Sequence, residues 1–412
     1  MAGSLDAYAK VASDEGVSQL HDLARGLQGR SVIHVNSTRY GGGVAEIMSW
    51  LVPLMNELGL RTSWEVIEGN SPFFQATKKI HNALQGFEED FNAADAAAYE
   101  EVNRSNAEEL REKLSEADFV FIHDPQPAAL LGLCPKRKGK WIWRCHIDAS
   151  RPHRPVWKFL EPLVQGYDAS IFSMPQFARV LPHVQFLIAP SIDPLSEKNF
   201  DLPDSEVEEA ARGFGLDLDR PILTQVSRFD RFKDPVGVIK AFKLVKQTYS
   251  SQLVLAGGGA ADDPEGAQVL EEVREAAGDD PDIHILDLPA DAHRTINALQ
   301  RASTIIIQKS TREGFGLTVT EGMWKSRPVI GGDVGGIRLQ VHDFHTGFLV
   351  NSPEGAAIRI RYLLQYKGRC ARMGEIAQSF VRDNFLLTRH LREYLTLMLS
   401  LTHGNSKRVI PL

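Results

Sequence analysis

The chain has 412 residues, 43% hydrophobic and 24% charged, with a formal net charge of −7. At roughly 150 residues per domain that length calls for two or three domains and excludes a single small core, while the composition excludes wholesale disorder and collagen-like repeats. The negative charge excludes a nucleic-acid binder built on a global positive field and leaves only a local basic cleft open to anions.

The first thirty residues read as polar helical material. Residues 31–35 read as a buried strand, 36–43 as a Gly-rich turn, and 44 to about 58 as an amphipathic helix closed by Gly59. Residues 62–67 form the next strand, so the chain opens as a doubly wound α/β domain. Residues 93–117, rich in Ala and Glu, read as helix, and 118–123, 140–144 and 169–172 as strands. Pro190 to Pro194 reads as a stiff connector, because each proline restricts itself and its predecessor. Residues 201–219 are acidic and read as a surface helix plus loop.

A second α/β series follows, with strands at 221–226, 252–256, 283–286, 302–308, 328–330 and 346–350, a helix at 318–324 and a helical tail from about Glu354. No solenoid period or low-complexity segment interrupts it. Two Rossmann-like halves are expected to face each other across a deep cleft, with the site at the carboxyl ends of the strands.

Cys134, Cys145 and Cys370 are widely spaced, form no CxxC or zinc pattern, and read as free thiols of a reducing cytoplasm. Residues 1–6 carry neither a basic nor an apolar leader segment, so no signal peptide is expected. Apolar runs such as 119–122 and 304–307 are strand-length, far short of the eighteen or so residues of a membrane helix.

Several strand ends carry candidate chemistry. Gly41-Gly42-Gly43 lets a backbone approach an anion at a helix start, or merely supplies turn conformations; spacing leaves both open. Gly257-Gly258-Gly259 lacks the third glycine of a dinucleotide fingerprint, since Asp262 stands there, and reads as a structural turn. Arg228 and Lys233 follow a strand and offer a planar fork and a point charge to one anion, or form a solvated basic loop. Glu313-Gly314-Phe315-Gly316-Leu317-Thr318-Val319-Thr320-Glu321 runs from a loop into a helix. Its glycines leave backbone N–H groups open, and its apolar residues imply burial, so Glu313 and Glu321 each require a hydroxyl or cationic partner.

His123-Asp124 and Arg144-Cys145-His146-Ile147-Asp148 also follow strands, whereas His34 lies within one and reads as packing. Asp217-Leu218-Asp219 has the DxD shape of metal-assisted sugar-nucleotide binders, but it precedes a strand in an acidic stretch and reads as surface. No nucleophile elbow and no Walker A lysine is present.

Arg228 and Lys233 followed by Glu313 and Glu321 in Glu-x7-Glu spacing resemble the retaining glycosyltransferases of the GT-B fold, family four. The strings 34–38 with 41–47, His81-Asn82-Ala83-Leu84-Gln85-Gly86, 123–127, 143–148 and 312–321 resemble, more narrowly, the trehalose glycosyltransferring synthases. That resemblance implies transfer of glucose from a nucleoside-diphosphate glucose to free glucose, reversibly. It assigns Arg228 and Lys233 to the diphosphate, and Gly41, Gly42, Gly43 with the backbone of Gly314, Phe315, Gly316 and Leu317 to donor sugar and phosphate. It assigns Glu313 to the donor glucose, His146 to the anomeric region, and Glu321 to the ribose. Asn82, Gln85, Asp124 and Asp148 are its acceptor candidates.

No metal or other cofactor is implied, because the two cations take the place of one. The implied partners are small-molecule substrates, namely the sugar nucleotide, glucose and trehalose, with no nucleic acid and no membrane; a homodimer is left open. The implied domains are 1–195 on the acceptor side, 196–380 on the donor side, and a terminal helix, 381–412, crossing back to the first. Three other readings stay open at this point: a trehalose phosphorylase using inorganic phosphate, a related transferase with another sugar acceptor, and a non-catalytic sugar-nucleotide sensor.

Overall fold

The computed structural model describes residues 4–39, 43–258, 264–289, 291–403 and 409–411. The chain divides into two compact units, Met1–Ser191 with Leu387–Leu412, and Ile192–Leu386. The junctions anticipated at 195 and 381 therefore lie at 191/192 and 386/387. The second differs because residues 381–384 complete the helix Lys367–Asn384, and the following helix, Leu387–His403, starts the segment that belongs to the first unit.

The first unit contains β1 (Ser31–Asn36), β2 (Arg61–Val66), β3 (Phe119–His123), β4 (Lys140–Arg144), β5 (Ala169–Phe172) and β6 (Val184–Leu187). The second contains β7 (Ile222–Val226), β8 (Gln252–Gly257), β9 (Ile283–Asp287), β10 (Ile305–Gln308), β11 (Val329–Gly332) and β12 (Gly347–Val350), and β13 (Val409–Pro411) closes the chain. Among the described residues the sheets run β13-β6-β5-β4-β3-β1-β2 and β12-β11-β10-β7-β8-β9, every pairing parallel. β6 and β13 have no counterpart in the sequence reading. Val184–Leu187 is only four residues long and interrupted by Gln185, too short for a pattern to stand out.

Both faces of each sheet are covered, as parallel sheets require. In the second unit, Leu223, Leu253, Leu255, Ile305 and Ile307 pack with Val238, Phe242, Ile360 and Leu363, while Ile222, Val226, Val254 and Ala256 point the other way, towards Leu299. Each such buried aliphatic contributes about 1.5–3 kcal/mol relative to exposure.

The strand orders locate the candidate sites. In the first sheet β1 lies between β2 and β3, and in the second β7 lies between β8 and β10. Each of these strands is where the winding reverses, and the carboxyl ends at such a switch point form the ligand crevice of an open α/β sheet.

Candidate active site

In the second unit the switch point is flanked by the segments after β7 and β10, and these carry the charged residues singled out in the sequence. Lys233 ends a short 3₁₀ turn, Arg231–Lys233, and Gln225 at the end of β7 donates from Nε2 to the Lys233 carbonyl at 2.8 Å. Thr311, after β10, donates its backbone N–H to the Phe232 carbonyl at 2.8 Å, tying the two segments together. Across that tie Lys233 Nζ meets Glu313 Oε2 at 2.6 Å, and Ser310 Oγ donates to the same oxygen at 3.0 Å. Both contacts fall on Oε2, which leaves Oε1 outside the pair. Arg228 has a different setting: its side chain is 65% exposed and its nearest acidic neighbour is Asp230, at 3.8 Å.

The loop from Glu313 to Gly316 is held by its backbone. Gly336 N–H donates to the Gly314 carbonyl at 3.1 Å, and Gln340 Nε2 donates to the Phe315 carbonyl at 2.6 Å. A Cβ on Gly335 would stand 1.7 Å from the Glu313 carbonyl oxygen, so the loop rests directly on that glycine. Gly316 has φ +84° and precedes the helix Leu317–Trp324, whose first N–H groups no side chain caps. Glu321, five residues into that helix, is buried; its Oε2 faces Gln300 Nε2 at 3.5 Å and its Oε1 faces Lys198 Nζ at 4.0 Å. Beside it Lys325 is buried, donating to Asn199 Oδ1 at 3.1 Å and to the Glu321 carbonyl at 3.2 Å, and loss of hydration pushes its pKa down to about 7.

In the first unit the polar groups after β3 and β4 interlock. Asp124 has φ +64° and donates its N–H to the Arg144 carbonyl at 2.8 Å. Its Oδ1 accepts the His146 backbone N–H at 2.7 Å, which turns the chain after β4. Burial raises the Asp124 carboxyl to about 7, against the opposing pull of the His146 N–H and Arg144. Three imidazoles run in a row: His34 Nδ1 lies 3.0 Å from His123 Nε2, and His123 Nδ1 lies 3.0 Å from His146 Nε2. His34 is thus a member of a polar chain, which corrects its reading as packing alone, although its ring also stacks on Phe121. Burial holds all three below the ordinary imidazole value, with Arg144 adding to it for His123 and His146.

The acceptor candidates are partly gathered. Asn82, on the helix Ser71–Leu84, donates from Nδ2 to Glu89 Oε1 at 2.9 Å, and Gln85 caps that helix. His153 N–H donates to the Ala83 carbonyl at 2.7 Å, so the end of this helix is tied to the segment after β4. Asp148 lies in the same segment and accepts from Ser150 N–H at 2.9 Å. Gly41, Gly42 and Gly259 lie outside the described residues; Gly43 is the first residue of the helix Gly43–Glu57. A Cβ on Gly257 would meet the Ser227 carbonyl at 1.8 Å, so this glycine serves close packing of β8 on the exit of β7. Asp217 and Asp219 are exposed and form a local turn, Asp219 N–H to Asp217 Oδ1 at 3.0 Å, at the opposite end of β7 from Arg228. Among the described residues no group of three His, Cys, Asp or Glu is placed to hold a metal ion.

Sequence reading missed Ser310, which sits three positions before Glu313 and was discoverable there as a hydroxyl at a strand exit. It also missed Gln340 and Lys325, and within the anticipated terminal helix, Leu387–His403, it missed Tyr394 and His390, which pack near the histidine row; no local motif marks these.

Two α/β units, each with a parallel doubly wound sheet, make a protein of the GT-B class, and solved structures share the architecture. The UDP-forming α,α-trehalose-phosphate synthase of Burkholderia xenovorans superposes with a TM-score of 0.72 at 16% identity, covering 92% of this chain and 100% of its own. Residues 34–179 match the family described as trehalose synthase, N-terminal domain, and 206–380 match glycosyl transferases group 1. The trehalose synthase of Thermococcus litoralis is 45% identical over 96% of both chains, and that of Rubrobacter xylanophilus is 42% identical over 96% of both. The chain is a glycosyltransferase of trehalose metabolism and belongs to the trehalose synthase family.

Among the described residues no helix is long and apolar enough to cross a membrane.

Proposed function

We propose that the protein transfers glucose, with retention of anomeric configuration, from a nucleoside-diphosphate glucose to free glucose, forming trehalose reversibly in the cytoplasm. The observation that carries the reading is the Lys233–Glu313–Ser310 cluster at the β7/β10 switch point. It joins a cation suited to a diphosphate with a carboxylate whose second oxygen is left for a sugar hydroxyl.

As the glycosidic bond breaks, the leaving diphosphate gains negative charge. Lys233 retains N–H donors beyond the one engaged by Glu313, and Arg228 is exposed enough to turn a planar fork onto the same phosphate oxygens. Together with the uncapped N–H groups at Leu317, they act where charge develops, which is the effective place for electrostatic catalysis. These groups do the work a divalent ion does in metal-assisted transferases, and no cofactor is assigned.

Gly43 and its two preceding glycines, with the 314–317 backbone, are assigned to donor sugar and phosphate, and Glu321 to the ribose hydroxyls. The sugar gains positive charge as the leaving group departs. His146, held neutral, contacts the donor glucose there without adding a repelling cation. Asn82, Gln85, Asp124 and Asp148 are assigned to the acceptor. Retention follows from attack by the acceptor on the face the leaving group vacates. Glu313 is not assigned as a nucleophile, since hydrolytic retaining enzymes use two carboxylates about 5 Å apart and Glu313 is committed to Lys233.

The test is a panel of nucleoside-diphosphate glucoses offered with free glucose, the product identified by NMR through its α,α-1,1 linkage. Trehalose formation with release of the nucleoside diphosphate is expected. Glucose 1-phosphate formed from trehalose and inorganic phosphate without any nucleotide would overturn the proposal in favour of a phosphorylase.

A further inference from the structure

The row of three imidazoles is confined to the first unit and is more constrained than three separate histidines. His34 on β1, His123 on β3 and Arg144 on β4 share one face of the sheet, because His34 pairs with Phe121, Phe121 and His123 are two apart, and His123 pairs with Arg144. The helix Leu387–His403 lies over this face through Tyr394, whose ring centroid is 5.0 Å from that of Phe121 and 6.1 Å from that of His34. His34 and His123 are buried, and His146 is half-buried at the exposed end of the row.

A neutral imidazole has one N–H and one lone pair. With two ring-to-ring contacts the row has only two neutral arrangements. In one, His34 donates from Nδ1 to His123 Nε2, His123 donates from Nδ1 to His146 Nε2, and His146 keeps its proton on Nδ1. In the other every proton is reversed: His146 donates from Nε2, presents a bare Nδ1, and His34 is left with a proton on Nε2. Burial and Arg144, which disfavour an imidazolium in the row, remove the mixed arrangements in which His123 is doubly protonated.

The inner end decides between them. His34 Nε2 is buried and has no hydrogen-bond partner. An orphaned buried N–H is rarer in proteins than an under-satisfied acceptor. None of the polar groups around it, including His390 Nε2 and the Tyr394 hydroxyl, which are themselves unpartnered, bonds to it. A bare lone pair at His34 Nε2 is therefore the less costly of the two inner ends.

We infer that His34 and His123 are positioning residues that hold His146 as its Nδ1–H tautomer, so that His146 presents a hydrogen-bond donor, and not an acceptor, to a sugar oxygen. The clause about the sugar rests on the role proposed above for His146; the tautomer does not. A donor fixed in this way recognises a sugar hydroxyl through its oxygen lone pair and needs no reorientation or proton exchange during transfer.

The test combines spectroscopy and kinetics on the full chain. In protein labelled with ¹⁵N-histidine, His146 is assigned by loss of its signals in His146→Gln. Its Nδ1 is expected to be pyrrole-like and its Nε2 pyridine-like. A protonated Nε2 in the wild type overturns the inference. In His123→Phe the His146 tautomer is expected to become mixed, and kcat to fall about 10- to 100-fold, the scale seen when partners that fix an imidazole's tautomer are removed.

His123→Asn places an amide donor where Nδ1 stood, and is expected to restore both the tautomer and most of kcat. An unchanged tautomer in His123→Phe overturns the positioning role. Normal kcat in His123→Phe together with a defective His146→Phe also overturns it, while leaving His146 in its place. Normal kcat in His146→Phe overturns instead the assignment of His146 to the donor sugar.

Discussion

The two switch points solve the same topological problem with opposite electrostatics. After β3 and β4 the polar side chains are imidazoles held neutral, locked to one another at 3.0 Å and to the turn by the Asp124–His146 contact. After β7 and β10 they are charged groups in ion pairs, Lys233 with Glu313 and Lys309 with Asp234, beside an exposed Arg228. Under the proposed reaction this division has a physical reason. The leaving diphosphate gains negative charge and needs cations, whereas the sugar carbon gains positive charge, and neutral groups beside it add no repelling cation. One sheet end supplies charge and the other supplies orientation.

The largest effect is therefore expected from neutralising the charged end. Lys233→Met removes the cation from Glu313 Oε2 and leaves Ser310 as its partner. Turnover is expected to fall about 10²- to 10³-fold, the usual cost of removing one preorganised group facing a developing charge. Arg228→Met, which breaks no close internal contact, is expected to lose turnover with an unchanged melting temperature. Steady-state kinetics beside thermal unfolding checks both, and turnover within a fewfold of wild type in both variants would break the comparison.

The next effect tests whether the charged end depends on its backbone. A methyl on Gly335 cannot be accommodated 1.7 Å from the Glu313 carbonyl, and the residue sits at φ +46°. Gly335→Ala is expected to displace the Glu313 loop. A shift of about 1 Å in a positioned group costs on the order of a hundredfold. The same kinetics checks it, with folding followed by circular dichroism.

These two predictions differ in how far the sequence foretold them. The strands with long apolar runs, such as Phe119–His123 and Ile305–Gln308, were legible because burial on both faces leaves a continuous apolar signature. Arg228, Lys233, Glu313 and Glu321 were picked out because their spacing resembles that of a known family, spacing alone leaving Arg228 and Lys233 open to a solvated loop. The contact between Lys233 and Glu313 was not legible. Lys233 and Glu313 are 80 positions apart, and only the adjacency of β7 and β10 brings them to 2.6 Å. The histidine row spans β1, β3 and the exit of β4, so a single strand showed only a lone buried histidine, whose commonest role is packing. Gly335, 22 positions after Glu313, carries no signal of the contact it makes.

A smaller effect separates the two ends by pH, through one group in each. Asp124, raised to about 7, is protonated in the folded state where the unfolded chain has lost its proton. Its contribution is fully present below the ordinary carboxylate range and is lost as pH rises through about 7. Lys325, lowered to about 7, behaves in reverse. The unfolded chain holds its proton up to the ordinary lysine range, so stability rises with pH from about 7 towards that range. Each slope is at most about 1.4 kcal/mol per pH unit. Asp124→Asn keeps an acceptor for the His146 N–H and is expected to flatten the fall between about pH 4 and 7; Lys325→Met is expected to flatten the rise above 7. Urea unfolding across pH 5–9 reads both, and a wild-type curve unaltered by either variant would count against the burial of these charges.

The smallest effect is expected at the acidic stretch that most resembles a metal-dependent sugar-nucleotide motif. Asp217 and Asp219 are exposed, bonded to each other through a backbone turn, and precede β7, whereas Arg228 and Lys233 follow it. In a parallel sheet the crevice lies at the carboxyl ends, so these carboxylates stand at the far end of the strand from any ligand held there. Asparagine at both positions keeps the turn, since its side-chain oxygen accepts the same N–H. Stability is expected to change by less than about 0.5 kcal/mol, and turnover by less than twofold with or without added magnesium. A loss of turnover that magnesium restores would mean that these acids, and not the Arg228–Lys233 pair, meet the charge of the leaving diphosphate, and the division of labour between the two strand ends would have to be redrawn.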